Sequence, residues 1–140
     1  MGELELEGPG SGEVLVEMEA AGVCHLDLSV VDGNRTRPVP MPLGHEAGAR
    51  VTALGAGSAD LLVGQRVITT FLPRCGQCPG FATGGRMPCG PGSVSNTAAE
   101  LLRGGRRLTP DDDPVNHHLG LSALATPRGR GHPVSRRRRR

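Results

Sequence analysis

Apolar and acidic residues alternate from the start of the chain. Leu4 and Leu6 sit between Glu3, Glu5 and Glu7, and the run Pro9-Gly10-Ser11-Gly12 then makes a turn. A longer alternation follows, with Val14, Val16, Met18 and Ala20 on one face and Glu13, Glu17 and Glu19 on the other; Leu15 is the apolar exception on the polar face. A period of two predicts two half-buried strands. Ala21-Gly22-Val23-Cys24 turns into a segment from Cys24 to Val31, where the spacing of Cys24, Leu28 and Val31 suits one or two helical turns that end at Asp32-Gly33-Asn34. Pro38, Pro40 and Pro42 make residues 34 to 43 an extended loop, since a proline has no N–H to give to a ladder. Ala49, Val51 and Ala53 alternate as a strand, Gly55-Ala56-Gly57 turns, and residues 64 to 71 read as the next strand. Glycine, proline and cysteine dominate Pro73 to Gly92, which predicts no regular element there. One or two helical turns over Thr97 to Leu102 and a last strand over His118 to Ala125 complete a mainly β reading with short punctuation and long loops.

Composition narrows this picture. At 140 residues the chain has the length of one domain. There is no Trp or Tyr, and Phe71 and Phe81 are the only aromatic residues, so the core must be built from Val, Leu and Ala. The net charge of +2 conceals two opposite segments, because all 14 acidic residues lie before residue 127. Every one of the 16 basic residues is arginine, and 7 of them lie beyond residue 127. The closing stretch, residues 127 to 140, has no periodicity and reads as a disordered basic tail. It could neutralise phosphates, but no aromatic or basic residues elsewhere form a groove, so nucleic acid is not the expected partner. No apolar run is long enough to cross a bilayer and the N-terminus is acidic, which predicts a cytoplasmic protein without a membrane partner. Four cysteines in a reducing compartment point to metal or catalysis rather than to disulfides.

The chemistry gathers at Gly44-His45-Glu46, where a histidine beside a carboxylate leads into the strand that starts the third alternation. That is a good place to hold a metal, and a thiolate partner from elsewhere would add to it, with Cys24 the candidate. The second concentration is Cys75-Gly76-Gln77-Cys78 with Cys89, which read by itself is a three-thiol knuckle or a redox pair. The His117-His118 doublet reads as a solvated strand end, and Asp111-Asp112-Asp113 as a charged turn before Pro114.

Taken in order, Gly12-Glu13-Val14-Leu15-Val16, Ala21-Gly22-Val23-Cys24-His25-x-Asp27, Gly44-His45-Glu46, Gly64-x-Arg66-Val67 and the cysteine lobe resemble the zinc-dependent medium-chain alcohol dehydrogenases. The resemblance covers about residues 3 to 125 and falls in that family's N-terminal catalytic domain. It implies an incomplete GroES-like distorted β-barrel over residues 1 to 126, a disordered tail over 127 to 140, and a Rossmann domain absent from this chain. It also implies zinc and NAD or NADP as cofactors, a small alcohol or aldehyde as substrate, and a homo-oligomer as a possible assembly. By the same resemblance Cys24 and His45 are the first two catalytic zinc ligands, and Glu46 is the carboxylate beside the metal. Asp27 is the carboxylate that orients the ligating histidine, and His25 lies near the cofactor pyrophosphate. Leu26 stands where the family has the hydroxyl of a proton relay, and Ser29 where many members place the relay's histidine.

The resemblance makes the cysteine lobe a structural zinc site of pattern Cys-x-x-Cys-x-x-Cys-x7-Cys. Cys75, Cys78 and Cys89 fit it, and Phe81 stands at the missing ligand. After Thr126 the resemblance stops and Arg-rich sequence begins, as a reading-frame change in a G/C-rich gene would produce. The resulting expectation is an N-terminal piece of an alcohol dehydrogenase that has no turnover alone. The alternative is a non-enzymatic GroES-like binding or oligomerisation module with a basic tail.

Overall fold

The alternation near the N-terminus builds a short strand, β1 (Glu5–Leu6), and a long one, β2 (Val14–Gly22). The structure, a computed structural model, describes residues 4–58, 60–71, 73–84, 86–109 and 115–125. After helix α1 (His25–Val31) and the proline loop, β3 (Glu46–Leu54) runs antiparallel to β2, and β4 (Arg66–Ile68) pairs with the other edge of β3. Two helices follow, α2 (Pro79–Ala82) and α3 (Gly90–Ala98), and then β5 (Leu108–Thr109) pairs antiparallel with β1. Among the described residues these strands make a three-stranded sheet, β2-β3-β4, and a two-stranded one, β1-β5, without closing into a barrel. No helix among them is long and apolar enough to cross a membrane.

Two bulges interrupt the pairing of β2 with β3. Pairing shifts between Leu15 and Val16 and again between Met18 and Ala20. A residue inserted on one strand turns the side chains beyond it to the opposite face. Leu15 is buried at 9% exposure, and Thr52, the extra residue on β3, donates its hydroxyl to the Leu15 carbonyl at 3.2 Å. On the outer face Glu19, the extra residue on β2, accepts from Arg50 at 2.7 Å and from Arg66 at 3.0 Å, a charge ladder across all three strands. Ala47, Ala49 and Val51 supply the buried face of β3, and Leu108, Val115, Leu119 and Ala123 pack in the same core. Among the described residues the buried apolar side chains are Leu, Val and Ala together with Cys89, and neither phenylalanine is among them.

Four local expectations are corrected. The strand read over residues 64 to 71 is three residues long. The lobe from Pro73 to Gly92 does hold regular structure, namely α2 and the start of α3. Its prolines are helix starters rather than breakers: Pro79 and Pro91 fall at the first positions of their helices, where an N–H has no intrahelical partner to lose. The helix placed over Thr97 to Leu102 ends instead at Ala98, where Ala99 takes a left-handed conformation. Residues 118 to 125 are successive turns, with positive φ at Leu119, Gly120 and Ser122, and they dock through Ala123 N–H to Gly44 O at 2.9 Å and Leu124 N–H to Leu43 O at 3.0 Å. The expectations for Asp111 to Asp113 and for the basic tail lie outside the described residues.

Candidate functional site

Asp27 organises the region around the first metal-ligand candidates. It is the third residue of α1, and its Oδ2 accepts the N–H of Cys24 at the helix N-cap, at 2.9 Å, which fixes the entry into the helix. Its Oδ1 reaches the opposite way and accepts Gly44 N–H at 3.0 Å. One carboxylate therefore joins the loop before α1 to the loop before β3, and so brings Cys24 to the side of His45.

His45 is fully buried and directly precedes β3. Its backbone carbonyl accepts the Thr69 hydroxyl at 3.2 Å, and its ring meets the edge of Phe71 with centroids 5.6 Å apart. Nδ1 lies 3.4 Å from Asp27 Oδ1 without hydrogen-bond alignment, so among the described residues neither ring nitrogen has a hydrogen-bond partner. A buried imidazole with both nitrogens free is costly unless something coordinates it. Candidate donors are at hand, because a ligand atom from each of Cys24, His45 and Glu46 lies within 4.8 Å of the others. Thiolate, imidazole and carboxylate together suit zinc, which takes sulfur, nitrogen and oxygen donors. Cys24 is half-buried and Glu46 is exposed as the first residue of β3. His25 is exposed at the first position of α1, and Ser29 spends its hydroxyl on the His25 carbonyl at 2.9 Å.

The sequence predicts a solvated His118, and the structure corrects this: it is buried at 1% exposure with Nδ1 3.1 Å from Asp27 Oδ1. Its ring packs edge-on against that of His45 at 5.4 Å between centroids, so Asp27, His45 and His118 form a second buried cluster that shares His45 with the first. Burial holds the His118 pKa below the ordinary imidazole value, opposed by the Asp27 charge and reinforced by His45, Arg37 and Arg35. The sequence signal for it was a histidine inside an otherwise apolar stretch, Val115 to Ala125; its carboxylate partner stands far upstream on another element.

His117 is buried as well, and its Nε2 accepts the N–H of Arg107 at 3.0 Å. Nε2 must therefore carry the lone pair, and a second proton would have to displace that bond. Burial lowers the His117 pKa, with Glu13 opposing and Arg106 and Arg107 assisting. Because the folded value lies below the unfolded one, the unfolded chain takes up the proton first. Stability is then full above about pH 6.5 and is lost as the pH falls from there toward the lower folded value. Urea titrations at pH 7.5 and pH 5.5 are expected to show this loss, and His117→Gln is expected to make it smaller. A loss just as large in His117→Gln would remove His117 from the account.

The cysteine lobe brings Cys75, Cys78 and Cys89 together, all as free thiols, with sulfurs within 4.8 Å of one another. Cys89 is the N-cap of α3, and its sulfur accepts from Gly92 N–H at 3.4 Å and Cys75 N–H at 3.3 Å. The Cys78 thiol is pushed down to about 7, first by the Phe81 N–H and then by Cys75, Cys89 and the Gly90 N–H, against the effect of burial. For Cys75 the Gln77 amide acts to lower the value, but burial and the bonds to Cys78 and Cys89 outweigh it and raise the thiol. Phe81 is 44% exposed and has no atom that could coordinate a metal.

Fold and site together define a mainly β domain with a sulfur, nitrogen and oxygen donor set at the start of one strand. A family described as "Alcohol dehydrogenase GroES-like domain" matches residues 10–106. The chain belongs to this alcohol dehydrogenase GroES-like domain family. It is 42% identical over 92 residues to "Putative alcohol dehydrogenase D" of Mycobacterium tuberculosis, matched alike in two strains, covering 66% of this chain and 25% of that protein. The crystal structure of an alcohol dehydrogenase zinc-binding domain protein from Burkholderia ambifaria superposes with a TM-score of 0.77 at 30% identity, over 86% of this chain and 33% of that one. The crystal structure of AibC gives a TM-score of 0.55 at 35% identity, over 60% of this chain and 24% of that one. The chain thus spans about a quarter of the length of the curated relatives it matches.

Proposed function

We propose that this domain carries the metal-binding half of a zinc-dependent alcohol dehydrogenase that uses NAD or NADP to interconvert a small alcohol and its aldehyde. The observation that carries the reading is His45, a buried imidazole with neither ring nitrogen hydrogen-bonded among the described residues and with a thiol and a carboxylate beside it. Cys24 and His45 would hold zinc, with Glu46 next to it. Bound there, zinc supplies a Lewis acid that lowers the pKa of an alcohol hydroxyl.

The chain's own side chains do the positioning. Asp27 anchors the Cys24 and Gly44 amides and faces the His45 ring, so both ligands keep their place relative to each other. Ala20, Ala21, Gly22, Ala47 and Ile68 line a shallow depression beside Glu46, an apolar surface against which an alkyl group can rest. His25, exposed on the first turn of α1, is free to meet a cofactor phosphate. Leu26 has no proton to pass on, so a proton leaving the substrate would travel by way of solvent. The described sheets are antiparallel and include no parallel β-α-β unit of the kind that holds a dinucleotide. We therefore expect no NAD(P)-linked turnover from these 140 residues alone.

Cobalt(II), whose visible spectrum reports thiolate ligation, tests the reading in a background where Cys75, Cys78 and Cys89 are serine. One equivalent is expected to bind. Outer partners of a metal ligand alone are worth about 10- to 100-fold in affinity, so Cys24→Ser and His45→Ala should each weaken binding at least tenfold. Unchanged affinity in His45→Ala would sink the assignment.

A further inference from the structure

The cysteine lobe lies apart from the proposed catalytic ligands and does not suit the metal its sequence pattern suggests. A four-cysteine zinc site needs four thiolates, whereas the group gathered here has three, and the remaining position in the pattern holds Phe81, which has no lone pair to offer. What the fold does hold together is a close pair of sulfurs, Cys78 Sγ and Cys89 Sγ, 3.7 Å apart, with a third within reach.

We propose that Cys78 and Cys89 form a thiol–disulfide pair that hydroperoxides oxidise, with Cys75 left as a free thiol beside it. The two residues occupy equivalent places, each the N-cap of a short helix, and the backbone leading into the second helix passes close to the first. The position a Cβ would take on Gly80, in α2, is filled by the Pro88 carbonyl immediately before Cys89. Drawing the sulfurs from 3.7 Å to the roughly 2.05 Å of a disulfide requires a small side-chain adjustment. Access is divided usefully, since Cys78 is half-buried while Cys89 is buried at 8% exposure, so a peroxide meets Cys78 first.

The Cys78 sulfur attacks one peroxide oxygen, the O–O bond breaks, and the departing oxygen takes up the proton the thiol loses and leaves as water, or as an alcohol when the hydroperoxide is organic. The resulting sulfenic acid is then attacked by the Cys89 sulfur, which forms the S–S bond and releases the sulfenic oxygen as water. Two thiols lose two electrons and two protons, and the hydroperoxide accepts them. Cys24 cannot follow this route, because its close neighbours are His45 and Glu46 and not a second thiol.

The test uses the full 140-residue chain in chelator, treated with hydrogen peroxide, with free thiols counted and peptides mapped by mass spectrometry. The expected result is the loss of two of the four thiols, a cross-linked peptide joining Cys78 to Cys89, and recovery of all four thiols with a dithiol reductant. Cys75→Ser and Cys24→Ser should each leave that cross-link intact, and because each keeps both reacting sulfurs, either supports the proposal if the other folds poorly. The proposal is overturned if the link runs through Cys75, if no link forms, or if, in a parallel sample without chelator, one equivalent of zinc binds the three thiols and protects all of them from peroxide.

Discussion

Asp27→Ala is expected to destabilise the domain by about 3 kcal/mol, seen as a lower urea midpoint with an unchanged slope. The carboxylate is 2% exposed and serves four groups: Cys24 N–H at 2.9 Å, Gly44 N–H at 3.0 Å, His118 Nδ1 at 3.1 Å and His45 Nδ1 at 3.4 Å. Hydrogen bonds to a charged group are worth about 1.5–3 kcal/mol each, and only the two amide bonds are aligned, so the estimate rests on those two with partial relaxation. Alanine would leave both amides without their acceptor and would remove the carboxylate that both imidazoles face. Asp27→Asn keeps the shape and one acceptor oxygen, and it is expected to cost about half as much. If the two variants were equally unstable, the charge facing the histidines and not the number of acceptors would dominate. If Asp27→Ala unfolded like the parent chain, the carboxylate would not be the joint between α1 and β3 at all.

The strands around this joint were legible because each has one face on the core, and α1 was legible from its apolar spacing and its end signal Asp32-Gly33-Asn34. The bulges in β2 and β3 were not, since an extra backbone residue leaves no mark of its own in the hydrophobic pattern. The helices α2 and α3 were hidden for a different reason: proline discourages a helix in its interior and favours it at its first turn, and composition alone does not separate the two cases. The closing segment was misread most. Leu119 and Leu121 suggest a strand, yet turns with positive φ fold it over Leu43 and Gly44, which buries both members of the histidine doublet. That burial depends on contacts with Asp27, Gly44 and Arg107, all distant in sequence, and no local pattern reports such contacts.

Gly44→Ala should be about as severe, at roughly 3 kcal/mol, and it tests how the closing segment is held. Gly44 has φ +98, and a Cβ there would lie 2.5 Å from Leu124 N and 2.7 Å from Leu124 Cγ. Two costs therefore combine: about 1–2 kcal/mol for placing an L side chain in that backbone region and about 1–3 kcal/mol for pushing against packed neighbours. The neighbour cannot easily give way, because Leu124 N–H is bonded to Leu43 O, and Ala123 N–H to Gly44 O itself. Displacing that segment would loosen the cover over His118 and Asp27, and His45 is the next residue along the chain, so cobalt affinity should fall together with stability. Gly33→Ala separates the two costs, since Gly33 has φ +80 with nothing within 4 Å of its would-be Cβ. It should lose only the backbone share, about 1 kcal/mol. An equal loss in both variants would mean that Gly44 is required for its backbone angle alone, and that residues 115 to 125 do not press on the start of β3.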